Sequence, residues 1–94
     1  MFHAQGEFKQ RERTLITALV HARHGPEALA ATLAALVPGV AEGLVGDAVV
    51  LAAEPGYAAP IAEAAGADFV PLGPADDPWR AGAARARRPW VLCL

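Results

Sequence analysis

Four short apolar runs, separated by stretches long enough for a helix, constrain this chain more than any other feature. They are Thr14–Val20, Asp47–Ala52, Asp68–Leu72 and Trp90–Leu94. The first is β-branched at four of seven positions and is followed at once by the polar run His21-Ala-Arg-His-Gly25. Length and composition make each run a strand, and strands that are apolar on both faces belong in a sheet covered on both sides. Between them lie helix signals. Gly25-Pro26-Glu27 starts a helix whose Leu29, Leu33, Leu36 and Val37 share one face, and Pro38-Gly39 stops it. A second helix is predicted from about Tyr57 to Ala65, with Ile61, Ala62 and Ala65 inward and Gly66 as its cap. Asp77 caps a third, Pro78 opens it, and it is expected to reach about Arg88 before Pro89. Val40–Gly46 reads as a connector.

The result is β-α-β-α-β-α-β, an α/β fold in three layers. Right-handed crossovers favour a four-stranded parallel sheet in the order 3-2-1-4. The third and fourth strands are then the edges, and Pro71, which has no ladder donor, suits one of them. Residues 14–94 make one domain, and residues 1–13 read as a polar N-terminal extension. Ninety-four residues leave room for no more than one small domain. Ala supplies 23 of the apolar residues against 20 for Leu, Val and Ile together, so the core should be thin and the helices should sit close to the sheet.

A formal charge of −2 and 6% aromatics argue against nucleic acid as a partner. No apolar run is long enough for a membrane span, and a single cysteine fits a reducing, cytoplasmic setting. Cys93, inside an apolar strand, is expected to be a buried, inert thiol.

Ligands of open α/β sheets bind beyond the carboxyl ends of the strands. Those ends are His21–Gly25, Ala52–Gly56 and Gly73–Asp77. The first loop lacks the glycines of a dinucleotide fingerprint or a phosphate loop. His21 and His24 alone make no metal site, and Arg23 is its one fixed cation. Asp76 and Asp77 read as loop and cap residues rather than an acid–base pair, and Trp79 as a packing anchor. Arg80, Arg87 and Arg88 are expected near one face of the third helix, with Arg85 aside.

Leu15–Val20, Ala31–Gly39, Gly43–Leu51 and Ile61–Ala67, continued by the third helix and Trp90–Leu94, resemble the N-terminal half of a family 2 glycosyltransferase of the GT-A fold. The resemblance covers about residues 14–94 and implies a nucleotide-sugar site at His21, Ala22, Arg23, His24, Ala52 and Glu54. The chain departs from the family's pattern at two places. Ala52 stands where the family carries an Asp that meets the nucleoside, and the family's acidic metal-binding motif would begin after Leu94. The divalent cation expected in a complete family member therefore has no ligands in this sequence, and the acceptor half is missing too. What the resemblance implies is a glycosyltransferase-like domain, inactive alone, whose ligand is a nucleotide-sugar. The alternative is a non-catalytic interaction module, in which a partner chain or a second copy covers the sheet edges.

Overall fold

The computed structural model describes residues 15–54 and 56–94. The polar extension predicted at residues 1–13 lies outside them, as does Thr14. The strands are β1 (Ile16–His21), β2 (Val45–Ala52), β3 (Asp68–Pro71) and β4 (Trp90–Cys93). All pairings are parallel and the order is β3-β2-β1-β4, as the alternation of strands and helices requires. The helices are α1 (Pro26–Ala35), α2 (Val37–Ala41), α3 (Ala58–Ala65) and α4 (Pro78–Arg85).

Connectivity decides which face each helix covers. The chain steps from β1 to β2 to β3 in one direction, so right-handed crossovers put α1 and α3 on the same face. There Leu29, Leu33, Ala58, Ala62 and Ala65 pack on Ala18, Val20, Ala48, Val50 and Ala52. The chain then returns past β1 to add β4 on the far side, and α4 lies on the opposite face. Trp79 and Ala81 there pack on Leu19, Val49 and Leu51. That second face is narrow, and α4 reaches it through Gly82, its one buried residue. A Cβ at Gly82 would stand 2.9 and 3.1 Å from the two Cδ atoms of Leu19 and 3.2 Å from Cδ1 of Leu51. Only a residue without a side chain lets the helix come this close.

β2 is buried along its whole length and begins two residues before the predicted run, at Val45. Its register with β1 is irregular at the start: Ile16 pairs with Val45 but Thr17 with Asp47, so Gly46 is an extra residue. Val45 consequently packs with the α1/α3 face, while Asp47 meets Thr17.

Four expectations need correction. Pro38-Gly39 does not end helical structure; both lie in α2, where proline occupies one of the first two positions and needs no donor. Val37, expected on the inner face, is exposed, because the axis turns at Leu36 between α1 and α2. α4 stops at Arg85, since Ala86 is already extended at ψ 137°. Arg87 and Arg88 thus lie beyond the helix rather than on one of its faces. The backbone N–H of Arg87 donates to Thr17 Oγ1 at 3.3 Å, and its guanidinium meets Asp68 at 3.3 Å. Arg88 turns toward Asp47 at 3.7 Å. Finally, Cys93 is exposed, as is every residue of β4, because no helix covers this edge among the described residues. Other signals stand as read: Asp77 caps α4 through the N–H groups of Trp79 and Arg80, and Gly66 closes α3 in the left-handed conformation. Among the described residues no helix is long and apolar enough to cross a membrane.

Candidate functional site

β1 ends at His21, and the chain then crosses the carboxyl edge of the sheet between β2 on one side and β4 on the other. Ala22 N–H still donates to Leu51 O at 2.8 Å, so the loop leaves the sheet gradually. The turn into α1 is made at Gly25, whose φ of 101° and ψ of 168° are open to glycine and to few other residues. Gly25 N–H donates to the hydroxyl of Tyr57 at 3.0 Å, which ties the β1–α1 loop to the start of α3.

Two clefts flank this loop and share His21, Ala22 and Arg23. The one toward β4 has a volume of about 120 Å³ and includes His24, Gly25, Leu29, Thr32, Trp79 and Leu94. The one toward β2 has a volume of about 280 Å³ and includes Ala52, Ala53, Glu54 and Tyr57. Taken together they reach the lower end of small-ligand sites, roughly 300–1,000 Å³. The structure therefore brings all six residues singled out from the sequence to one edge: His21, Ala22, Arg23, His24, Ala52 and Glu54. Ala52 is buried and offers only backbone, while Arg23, His24 and Glu54 are exposed. Two aromatic walls complete the site. Tyr57 was not among the sequence candidates, and Trp79 is both a packing residue and a cleft wall. Trp79 meets the His21 ring edge-on, with centroids 6.0 Å apart and planes at 85°.

The His21 pKa lies below its ordinary 6.5, first because burial disfavours the charged ring, then because Arg23 and His24 repel it. A folded-state value below the unfolded one means that His21 stabilises the domain most above pH 6.5, and that this contribution fades as pH falls through the folded value. We expect the His21 ring protons to titrate below 6.5, and Arg23→Ala to move that midpoint upward. An NMR titration checks both, and a midpoint above 6.5 would contradict the burial and charge argument.

The donor set does not suit the divalent cation that the glycosyltransferase resemblance implies. Among the described residues Glu54 is the only one with a carboxylate side chain lining the two clefts, and hard cations need several oxygen ligands. Among the described residues no three His, Cys, Asp or Glu side chains gather into a metal cluster. Asp76 and Asp77, on the loop before α4, are engaged with backbone: Asp76 accepts from Gly73 N–H at 2.6 Å and Asp77 from Trp79 N–H at 2.9 Å. No protein-family model, curated protein or solved structure matches the chain.

Proposed function

We propose that this sheet edge binds a phosphorylated nucleotide, in the manner of the nucleotide-sugar half of the glycosyltransferases that the sequence resembles, and performs no sugar transfer by itself. One observation carries the reading. The adjoining clefts straddle the end of β1, next to the point where the strand order reverses, and both are lined by Arg23. Arg23 is exposed and makes no ion pair among the described residues, so its guanidinium is available to a phosphate. Tyr57 and Trp79 supply flat apolar walls for a ring. Among the described residues no acidic cluster stands at this edge to hold a cation against the leaving-group charge of a transfer reaction. Binding is therefore the activity the residues support.

The test is a titration of the isotope-labelled chain with UDP, GDP and CMP, with and without manganese, followed by amide shifts. Saturating shifts confined to residues 21–25 and 52–56 are expected, with no gain from manganese. Arg23→Ala should weaken binding by about tenfold or more, the worth of a hydrogen bond to a charged group. A folded protein that shows no shifts at millimolar nucleotide would dispose of the proposal. A second reading, an interaction module acting through the sheet edges, is favoured by the exposure of β4 along its whole length.

A further inference from the structure

The two sheet edges are built differently. β3 is partly covered, ends in Pro71, which presents no donor, and carries Asp68 paired to Arg87. These are common ways to keep an edge from recruiting another strand. β4 has none of them. Trp90-Val-Leu-Cys-Leu94 bears no charge and no proline. Trp90 is 67% exposed, and Val91, Leu92 and Leu94 are 40–45% exposed.

Among the described residues the backbone of β4 is half used. Trp90 N–H donates to Leu15 O, Leu94 N–H donates to Leu19 O, and Leu94 O accepts from His21 N–H. Alternation along a strand then turns the groups of Trp90, Leu92 and Leu94 toward β1, and those of Val91 and Cys93 outward. That outward pair is self-complementary. We propose that β4 pairs antiparallel with β4 of a second copy about a two-fold axis at Leu92, so that one sheet runs through both molecules.

In this register Val91 lies opposite the second copy's Cys93, and each such pair exchanges two N–H···O bonds. Leu92 faces its own counterpart in the wide, non-hydrogen-bonded position. Trp90 lies beside the second copy's Leu94, which joins the most exposed side chains of the strand. The register also settles the charges. Each Arg88 sits four residues from the axis, so the two are roughly 26 Å apart along the strands, well beyond the screening length of about 8–10 Å. A second copy thus brings no second Arg88 against the edge. Pairing along one short strand covers less than the roughly 1,200–2,000 Å² of stable specific interfaces. The dimer is accordingly weak. This pairing does not depend on what the clefts bind.

The test is sedimentation equilibrium of the whole chain under reductant from about 1 μM to 1 mM, with amide exchange measured across the same range. The expected result is a saturable monomer–dimer equilibrium in which the amides of Val91 and Cys93 gain protection with concentration. Val91→Pro removes one outward donor per copy and should raise Kd by about 30-fold while circular dichroism stays native. A second pair of variants reads the register without relying on that proline. Leu92→Cys with Cys93→Ser places two thiols directly opposite at about 4.5 Å between Cα atoms, within disulfide reach, and should cross-link under mild oxidation. Val91→Cys with Cys93→Ser places them on a diagonal and should not. A chain that stays monomeric at 1 mM, open-ended assembly, a dimer indifferent to Val91→Pro, or cross-linking only in the diagonal variant would each overturn the proposal. The monomer result would leave the edge to some other chain.

Discussion

Leu19→Ala is expected to lower the free energy of unfolding by about 2–5 kcal/mol, a large part of the roughly 5–15 kcal/mol that holds a domain of this size together. Leu19 is fully buried and is the side chain over which Gly82 carries α4. Removing its branched end takes away the surface on which the helix rests, and α4 has no other fully buried residue to compensate. With a urea dependence of about 1 kcal/mol per molar, the midpoint should fall by about 2 M or more. The reciprocal change tests the same contact. Gly82→Ala brings a Cβ to 2.9 Å from Leu19 and costs about 1–3 kcal/mol of overpacking, offset by about 1 kcal/mol of helix propensity. In a Leu19→Val background the contacts to Leu19 are relieved and the 3.2 Å approach to Leu51 Cδ1 remains, so Gly82→Ala should cost clearly less than in the wild type. If its cost is unchanged, α4 is not set by the contact with Leu19.

Asp47→Ala is the second large effect, expected at about 3 kcal/mol. Asp47 is 8% exposed, accepts from the Thr17 hydroxyl at 2.7 Å and faces the Arg88 guanidinium at 3.7 Å. Among the described residues its second carboxylate oxygen has no hydrogen-bond partner, and neither has Arg88 Nε, so this is a charge pair rather than a completed hydrogen-bond network. Taking away the carboxylate leaves Arg88 largely enclosed without an anion, which is the costly half of breaking a buried pair. Replacing both partners, Asp47→Leu with Arg88→Met, should recover most of the loss, since burial of two charges is itself expensive. Denaturation of the wild type and the two variants decides the matter. A double variant no more stable than Asp47→Ala alone would mean that the carboxylate serves Thr17 rather than Arg88.

The strands, their order and the faces of the helices were readable because apolar runs and caps report on local structure, and right-handed crossovers leave little freedom after that. Errors arose where the deciding partner lies far away in the chain. An arginine-rich run after Pro78 looks helical, yet Thr17 and Asp47 draw Arg87 and Arg88 out of helical conformation, and they lie dozens of residues upstream. β4 is an unbroken apolar run, read as a buried strand on the same grounds as β1. Nothing local tells a strand with one neighbour from a strand with two, so the exposure of Cys93 is not legible in its own segment. Val45-Gly46 does not read as part of β2, because glycine gives no strand signal. At the site, the polar loop after β1 was legible from the sheet topology. Tyr57 was not, because its role depends on a backbone N–H of Gly25, 32 positions earlier.

The extra residue in β2 has a consequence for how the chain tolerates changes of length. In a regular strand, inserting or deleting one residue sends every later side chain to the wrong face. Here Val45 and Asp47 look to opposite layers although one residue separates them, because Gly46 absorbs the offset. Deleting Gly46 would leave Val45 and Asp47 adjacent and still facing opposite ways, and everything from Ala48 to Ala52 would keep its orientation. The shortening would fall on the Gly43–Leu44 approach instead. Of all positions in the fully buried strand, this is the one where the reading frame of the sheet can slip by a residue and the carboxyl edge, with its two clefts, would not register the change.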